Sequence, residues 1–167
     1  MAQKYKELVK DCAIKILNKW PQFRYDGYKN LWIFKPLGSS SGNGVVVLND
    51  EDKIRRQFLF LKMTTYVAQK YIERPMLIHD RKFDIRIYFM TFIRDKFVHI
   101  WLYKDCYIKF ATYSFTCDSF NKSIHVTNYA IQKYFMNAAD EVPGAKENMW
   151  TLTQLIDYFQ TIDEPRL

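Results

Sequence analysis

Cysteine is scarce. Cys12, Cys106 and Cys117 are the only three in 167 residues, an odd number without a C-x-x-C pair, so neither a disulfide framework nor a cysteine zinc site is indicated and a reducing, intracellular setting is expected. No basic cluster with a histidine surrounds any of them, so they are read as buried structural thiols and not as nucleophiles. Histidine is as scarce, and His79, His99 and His125 have no ligand spacing, which argues against a histidine metal site. Long apolar runs are missing too. No stretch reaches the roughly eighteen apolar residues of a membrane-spanning helix, and the lysine-rich residues 1–10 lack the apolar core of a signal peptide, so a soluble, unsecreted chain is expected. There is no internal repeat, no low-complexity tract, and neither common glycine signature for phosphate, G-x-x-x-x-G-K-[ST] or G-x-G-x-x-G.

What is present suffices for a folded domain. Hydrophobic residues make up 49% and aromatic residues 17%, enough for a sizeable apolar core, which excludes disorder as the main state. Lys and Arg number 25 against 18 Asp and Glu, a formal charge of +7 that suits nucleic acid, a membrane surface or an acidic protein tail equally well. Leu8, Cys12, Ile16 and Trp20, spaced four apart, predict an amphipathic helix over 5–20, ended by Pro21. Residues 31–34 and 45–48 read as strands around a turn of small and polar residues, 38–44. A helix is expected over 50–62 and strands over 66–72 and 82–92. Two further strands, 98–103 and 107–111, are expected to be joined by a turn at Lys104-Asp105-Cys106. A helix follows Asn128 through Ile131 and Phe135, then a loop with Pro143 and Gly144, then a last helix over 152–159. The mixture predicts a layered α+β or α/β domain.

Three places could carry chemistry. The turn with Ser41, Gly42, Asn43 and Gly44 could offer backbone N–H groups to an anion, with Lys35 adding a point charge; a plain flexible hairpin explains it as well. In 82–86, strand alternation places Lys82, Asp84 and Arg86 on one face and Phe83, Ile85 and Ile87 on a buried apolar face. Two cations around a carboxylate suit a polyphosphate, and a solvated face is the bland alternative. His125, Thr127 and Asn128 precede a helical pattern, where helix capping is the simplest local role. Trp101, Tyr103, Tyr107 and Phe110 among Lys104 and Lys109 fit a base-stacking platform or the packing of two strands.

Taken in order, Trp32-Ile33-Phe34-Lys35-Pro36 with Gly42-Asn43-Gly44, then Gln69-Lys70-Tyr71-Ile72-Glu73-Arg74-Pro75, Arg81-Lys82-Phe83-Asp84-Ile85-Arg86 and His125-Val126-Thr127-Asn128 resemble the tubulin tyrosine ligase-like family. The resemblance implies an α+β fold of the ATP-grasp kind, with ATP between two layers and an acceptor carboxylate activated as an acyl phosphate before an amine attacks it. It implies phosphate contacts from Lys35 and a phosphate cover from Ser41, Gly42, Asn43 and Gly44. Gln69, Lys70, Tyr71 and Ile72 would form a hinge strand beside adenine. Lys82, Asp84, Lys109, Thr127 and Asn128 would line the nucleotide site, and Arg86 would act at the transferring phosphate.

The segments 101–110, 131–133 and 148–150 resemble the glycine-ligating branch, with a glutamate ligase as the alternative. Expected partners are then tubulin or microtubules, through their acidic tails, and a free amino acid, with no nucleic acid; the expected location is cytoplasm and cytoskeleton, in a cilium or flagellum. Ser41, Asn43 and Lys109 stand where the family tends to place more basic or arginine residues. The family's magnesium ligands, an acidic residue and a Glu-x-Asn element, have no counterpart after Asn128, so the chain is expected to be the central part of the domain, with residues 1–21 a leading helix and 31–135 the nucleotide-binding core. An ATP- or tubulin-binding module without activity is the reading of a different class.

Overall fold

The computed structural model describes residues 2–20, 26–59, 65–136 and 147–162, which fall into two units, Met1–Ser39 with Gly44–Pro75 and Ser40–Asn43 with Met76–Leu167. In the first unit α1 (Ala2–Lys19) is the expected helix, with Lys19 in its last turn against the negative end of the dipole. Pro21 lies outside the described residues. Leu8, Cys12, Ile16 and Trp20, the stripe that predicts the helix, are all exposed. The periodicity therefore gives the helix but not its burial.

β1 (Trp32–Pro36) is the centre of an antiparallel sheet ordered β2-β1-β3, with β2 (Val46–Leu48) and β3 (Tyr66–Lys70) beside it. Ile33 pairs with Val47 on one side and with Gln69 on the other. Leu31, Phe34, Val47 and Tyr71 are buried. α2 (Glu51–Leu59) starts behind Asp50, whose Oδ1 accepts from the Lys53 N–H at 2.9 Å, and Glu51 and Asp52 complement the positive end of the dipole. The expected extension of this helix over 60–62 lies outside the described residues.

A buried carboxylate ties this unit together. Glu73 Oε2 accepts from the Lys29 N–H at 2.7 Å, and Oε1 accepts from the Leu31 N–H at 2.8 Å and from Lys70 Nζ at 2.7 Å. Burial by itself would raise the pKa of Glu73; the hydrogen bond from Lys70, the amides of Leu31 and Lys29 and the charge of Lys70 together outweigh it, and the net shift is downward. Gly27 makes room for this carboxylate, because at φ +68° a Cβ there would stand 2.2 Å from Glu73 Oε2.

The second unit is built on a four-stranded antiparallel sheet ordered β4 (Leu77–Ile78), β5 (Arg81–Arg94), β6 (Phe97–Phe110) and β7 (Met149–Thr151). The pairs His79-Asp80 and Asp95-Lys96 make its two-residue turns, all four residues at φ between 49° and 68°, as the hairpin twist requires. Residues 97–110 form one strand, where the sequence predicts two strands and a turn. The turn-like residues instead sit in a register irregularity: the step from Ile87 to Phe89 on β5 is matched by the longer step from Cys106 to Leu102 on β6. α3 (Lys122–His125), α4 (Tyr129–Met136) and α5 (Leu152–Thr161) complete the unit, α5 starting in a capping box of Thr151 and Gln154.

Ile78, Ile108, Phe110 and Leu155 form the core, joined by Phe83, Trp150 and Tyr158. Trp150 meets Phe110 edge-on at 4.8 Å between ring centres. The Arg81 guanidinium lies over the Phe110 ring at 4.9 Å, and burial lowers its pKa against the opposing charge of Glu147. The mixed helix-and-sheet architecture agrees with the α+β expectation. The thiols do not follow theirs: Cys12 is exposed and Cys106 and Cys117 are half-buried. Nor are Trp101 and Tyr103 packed between strands, since both are largely exposed, while Phe110 is fully buried. The expected loop with Pro143 and Gly144 lies outside the described residues.

Candidate functional site

The charged face of β5 becomes a site because β6 pairs with it in one particular register. Asp84 lies opposite Lys109 and Arg86 opposite Tyr107, so Lys109 joins the row Lys82, Asp84, Arg86. Together with Phe83 and Ile85, three members of this group, Asp84, Arg86 and Lys109, line an open cavity of about 500 Å³. Asp84 is engaged on both oxygens, by Lys82 Nζ at 3.2 Å on Oδ1 and by the Thr127 hydroxyl on Oδ2. Among the described residues no carboxylate comes within ion-pair distance of Arg86 or Lys109. Two uncompensated cations facing a cavity favour an anion there. The opposite face of β5 differs from expectation, since Ile85 and Ile87 are about half exposed and only Phe83 packs on the core.

Thr127 reaches Asp84 because the segment before α4 is pinned from below. Gln132 is fully buried, its Oε1 accepting from the Thr112 N–H at 2.8 Å and from the Thr112 hydroxyl at 2.6 Å. Its Nε2 donates to the Val126 carbonyl and, at 3.4 Å, to that of Lys122. His125 is also buried, with Nε2 2.6 Å from the Ser119 carbonyl; burial lowers its pKa, partly offset by that hydrogen bond and reinforced by the charge of Lys82. Its Nε2 donates to that carbonyl, and the ring packs edge-on against Phe115. The Thr127 hydroxyl turns to the strand and not to the helix N–H groups that the capping reading expects, and the Asn128 carbonyl accepts the first backbone bonds of α4, from the Ile131 and Gln132 N–H groups.

The glycine loop contributes its tip. Ser40–Asn43 groups with the second unit, and Gly42, at φ +81°, lies so close to the pinned segment that a Cβ would stand 2.8 Å from Val126 Cγ1 and 3.2 Å from Asn128 Oδ1. Gly42, Asn128, Thr127, Asp84, Lys82, Arg86 and Lys109 thus gather within one unit. Ser41 and Asn43 are exposed there, Ser41 at φ +59°.

The remaining expected residues lie in the first unit. Lys35 Nζ donates to Gln69 Oε1 at 2.8 Å, an exposed pair across β1 and β3. Lys70 is held by Glu73 and by the Asp26 carbonyl at 2.8 Å, the Tyr71 ring is buried, and Ile72 is exposed. Gly44, at φ +70°, has Pro36 Cγ 2.8 Å from where a Cβ would be. Gln132 and Glu73 are the residues that sequence reasoning leaves without a role. A lone glutamine between Ile131 and Phe135 is the signal for the first, and a glutamate ending a strand beside Lys70 for the second.

A polyphosphate fits the second unit's donor set, two cations lining an open cavity. Magnesium does not find a set of protein ligands here: both oxygens of Asp84 are engaged, and no group of three His, Cys, Asp or Glu residues gathers among the described residues.

The family model for tubulin-tyrosine ligases matches residues 3–167, nearly the whole chain. The chain belongs to the tubulin-tyrosine ligase family. Within that family it is 42% identical over 146 residues to tubulin glycylase 3B of Drosophila melanogaster, covering 87% of this chain and 19% of the relative. It is 34% identical over 166 residues to tubulin glycylase 3A of the same organism, covering 96% and 16%. To protein monoglycylase TTLL8 of Mus musculus it is 38% identical over 151 residues, covering 87% and 18%. This tubulin-tyrosine ligase family chain therefore spans less than a fifth of the length of these relatives.

Proposed function

We propose that the chain carries part of the catalytic machinery of an ATP-dependent ligase that joins an amino acid, glycine first, to side-chain carboxylates of tubulin. The observation that carries the reading is the pair Arg86 and Lys109 lining one cavity with Asp84, which Lys82 and Thr127 fix. The relatives' names, glycylases and a monoglycylase, support glycine over glutamate.

When bound, ATP would supply the phosphoryl group that turns the acceptor carboxylate into an acyl phosphate, with ADP as leaving group, and the amine would then displace inorganic phosphate to form the amide. Lys82 and Lys109 hold phosphate oxygens as point charges, and Arg86 offers its planar fork where charge develops during transfer. Thr127 and Lys82 keep Asp84 oriented, so that it does not drift toward Arg86 and cancel it. Gly42 lets the backbone of the loop tip lie close to Asn128, where a side chain would hold it away. A cytoskeletal location fits that substrate, with a cilium or flagellum as the proposed site.

Tubulin incubated with ATP and labelled glycine or labelled glutamate tests the reading in the full-length protein. ATP-dependent glycine incorporation is expected. Glutamate incorporation alone would establish the alternative ligase, and ATP binding without either transfer would make the protein a binding module.

A further inference from the structure

The side of the β5 and β6 ribbon that faces away from the charged row is apolar along its whole length, and its outer part is bare. Directly paired residues share a side, and the ladder pairs run from Phe83 with Phe110 to Ile93 with Val98. The irregularity does not break this pattern, because the steps from Ile87 to Phe89 and from Cys106 to Leu102 both span an even number of residues. Thr91 supplies the one hydroxyl of this side, which carries no charged residue; Lys82, Asp84, Arg86 and Lys109 all lie on the other.

The inner end is closed, with Ile108 and Phe110 fully buried against Leu155 of α5. Outward, exposure climbs from 46% at Ile85 to 68% at Leu102 and 77% at Ile93. β4 reaches only Arg81 and Lys82, and β7 only residues 107–109, so among the described residues no strand flanks the outer ribbon. Seven large apolar side chains are left open on this side. At roughly 100 Å² each they exceed the ~300–600 Å² patch usual on a monomer and approach the ~800 Å² that each partner gives to a standard interface.

We propose that this outer face of the ribbon is a homodimer interface, packed against the same face of a second copy of the chain. The proposal goes beyond the ligase reading and does not depend on it. An acidic partner finds no cation on the face. What fits is a flat apolar surface of equal extent, and a second copy supplies that through a two-fold axis. The two sheets would stack about 10 Å apart with their side chains interleaved. Phe89 and Leu102, paired midway along the bare stretch, would sit near the axis. The charges and prolines that usually guard an open sheet are absent from this side.

The test is the mass of the 167-residue chain by sedimentation equilibrium, beside the double variant Ile93→Glu with Ile100→Glu. Both side chains are mostly exposed, so the variant removes little packing within one copy. It also lowers the net charge of +7, so added repulsion cannot explain weaker association. Wild type at about 10 µM is expected as a dimer, a concentration at which standard-size interfaces associate. Its mass would be twice the 20.2 kDa of one chain. The variant is expected as a monomer, its association weakened at least about 100-fold by unpaired charges at the contact. Tyr134→Glu, on an exposed position of α4 outside the face, is expected to dimerise like wild type. Salt is expected to tighten the wild-type dimer, because it screens the repulsion of two +7 chains and the contact holds no charge.

A monomeric wild type, dimerisation of the double variant, or dissociation by salt would each overturn the interface. Species beyond the dimer that persist in the variant would make the open strand edges the contact, and would overturn it too. If the double variant fails to fold, Ile93→Asn alone decides on the same criterion. A monomeric full-length protein that unfolds with the two glutamates would give the face to its own polypeptide, against the proposal.

Discussion

Replacing Gln132 by leucine should be among the costliest single changes in the second unit, because the amide is fully buried and all its bonds reach across the fold. The substitution keeps the volume nearly constant but leaves the Thr112 N–H and the Val126 carbonyl without their partner. The Lys122 carbonyl keeps the Val126 N–H at 3.0 Å, and the Thr112 hydroxyl can rotate, so two orphaned groups remain. Each costs about 1–3 kcal/mol, and the added apolar burial offsets about 1 kcal/mol, which gives a net loss of about 3 kcal/mol. With a urea dependence of about 2 kcal/mol/M, the unfolding midpoint should fall by about 1.5 M at unchanged slope. Urea denaturation followed by tryptophan fluorescence measures this. A fall below about 0.3 M would mean that the pinned segment does not depend on the glutamine, and the account of how Thr127 is held on Asp84 would fail with it.

Gly27→Ala should destabilise the first unit by more than the ~1–2 kcal/mol of left-handed strain, since its Cβ displaces the Glu73 carboxylate, and thermal melting would register it. The pKa of Glu73 is lowered in the folded state, so the unfolded state binds more protons; its stability contribution is present above the ordinary value of 4.5 and is lost as pH falls through the folded value. Urea midpoints measured between pH 7 and pH 3 should drop less steeply in Glu73→Gln, from a lower starting stability, and an equal slope would remove Glu73 as the cause. His125, lowered by burial, works in the same direction at higher pH, its contribution declining as pH falls below 6.5, and His125→Phe should flatten that part of the profile. Microtubule binding should weaken with salt, more so when the acidic tails are present, because a +7 chain meeting them is screened over about 8 Å; equal salt sensitivity without tails would refute it.

Much of the candidate site is legible in the sequence because it sits on one alternating strand. The pattern from Lys82 to Arg86 gives the face, and the ordered motifs give the family. What alternation cannot give is the partner register, which brings Lys109 opposite Asp84 and Tyr107 opposite Arg86. The same limit makes Lys104-Asp105-Cys106 read as a turn: polar residues mark a break in pairing, and a register irregularity inside a long strand breaks pairing without turning the chain. The hairpin turn at Asp95-Lys96 carries no glycine, so its positive φ values are invisible to composition. Burial fails in both directions for a related reason. The stripe on α1 and the aromatics Trp101 and Tyr103 are apolar yet exposed, while Gln132 and Arg81 are polar yet buried, because burial depends on which elements pack and not on residue type. β7 escapes notice because three residues are too few to show alternation.

The central claim is that Arg86 acts where phosphate transfers, on a face that binds nucleotide without it. The direct measurement is single-turnover incorporation of labelled glycine into tubulin by the full-length protein and its Arg86→Ala variant, with ATP affinity measured on the same samples. The account predicts that ligation is lost while ATP affinity stays within about ten-fold, because the charge is needed mainly in the transition state. Near-normal turnover by Arg86→Ala with ATP bound would contradict it.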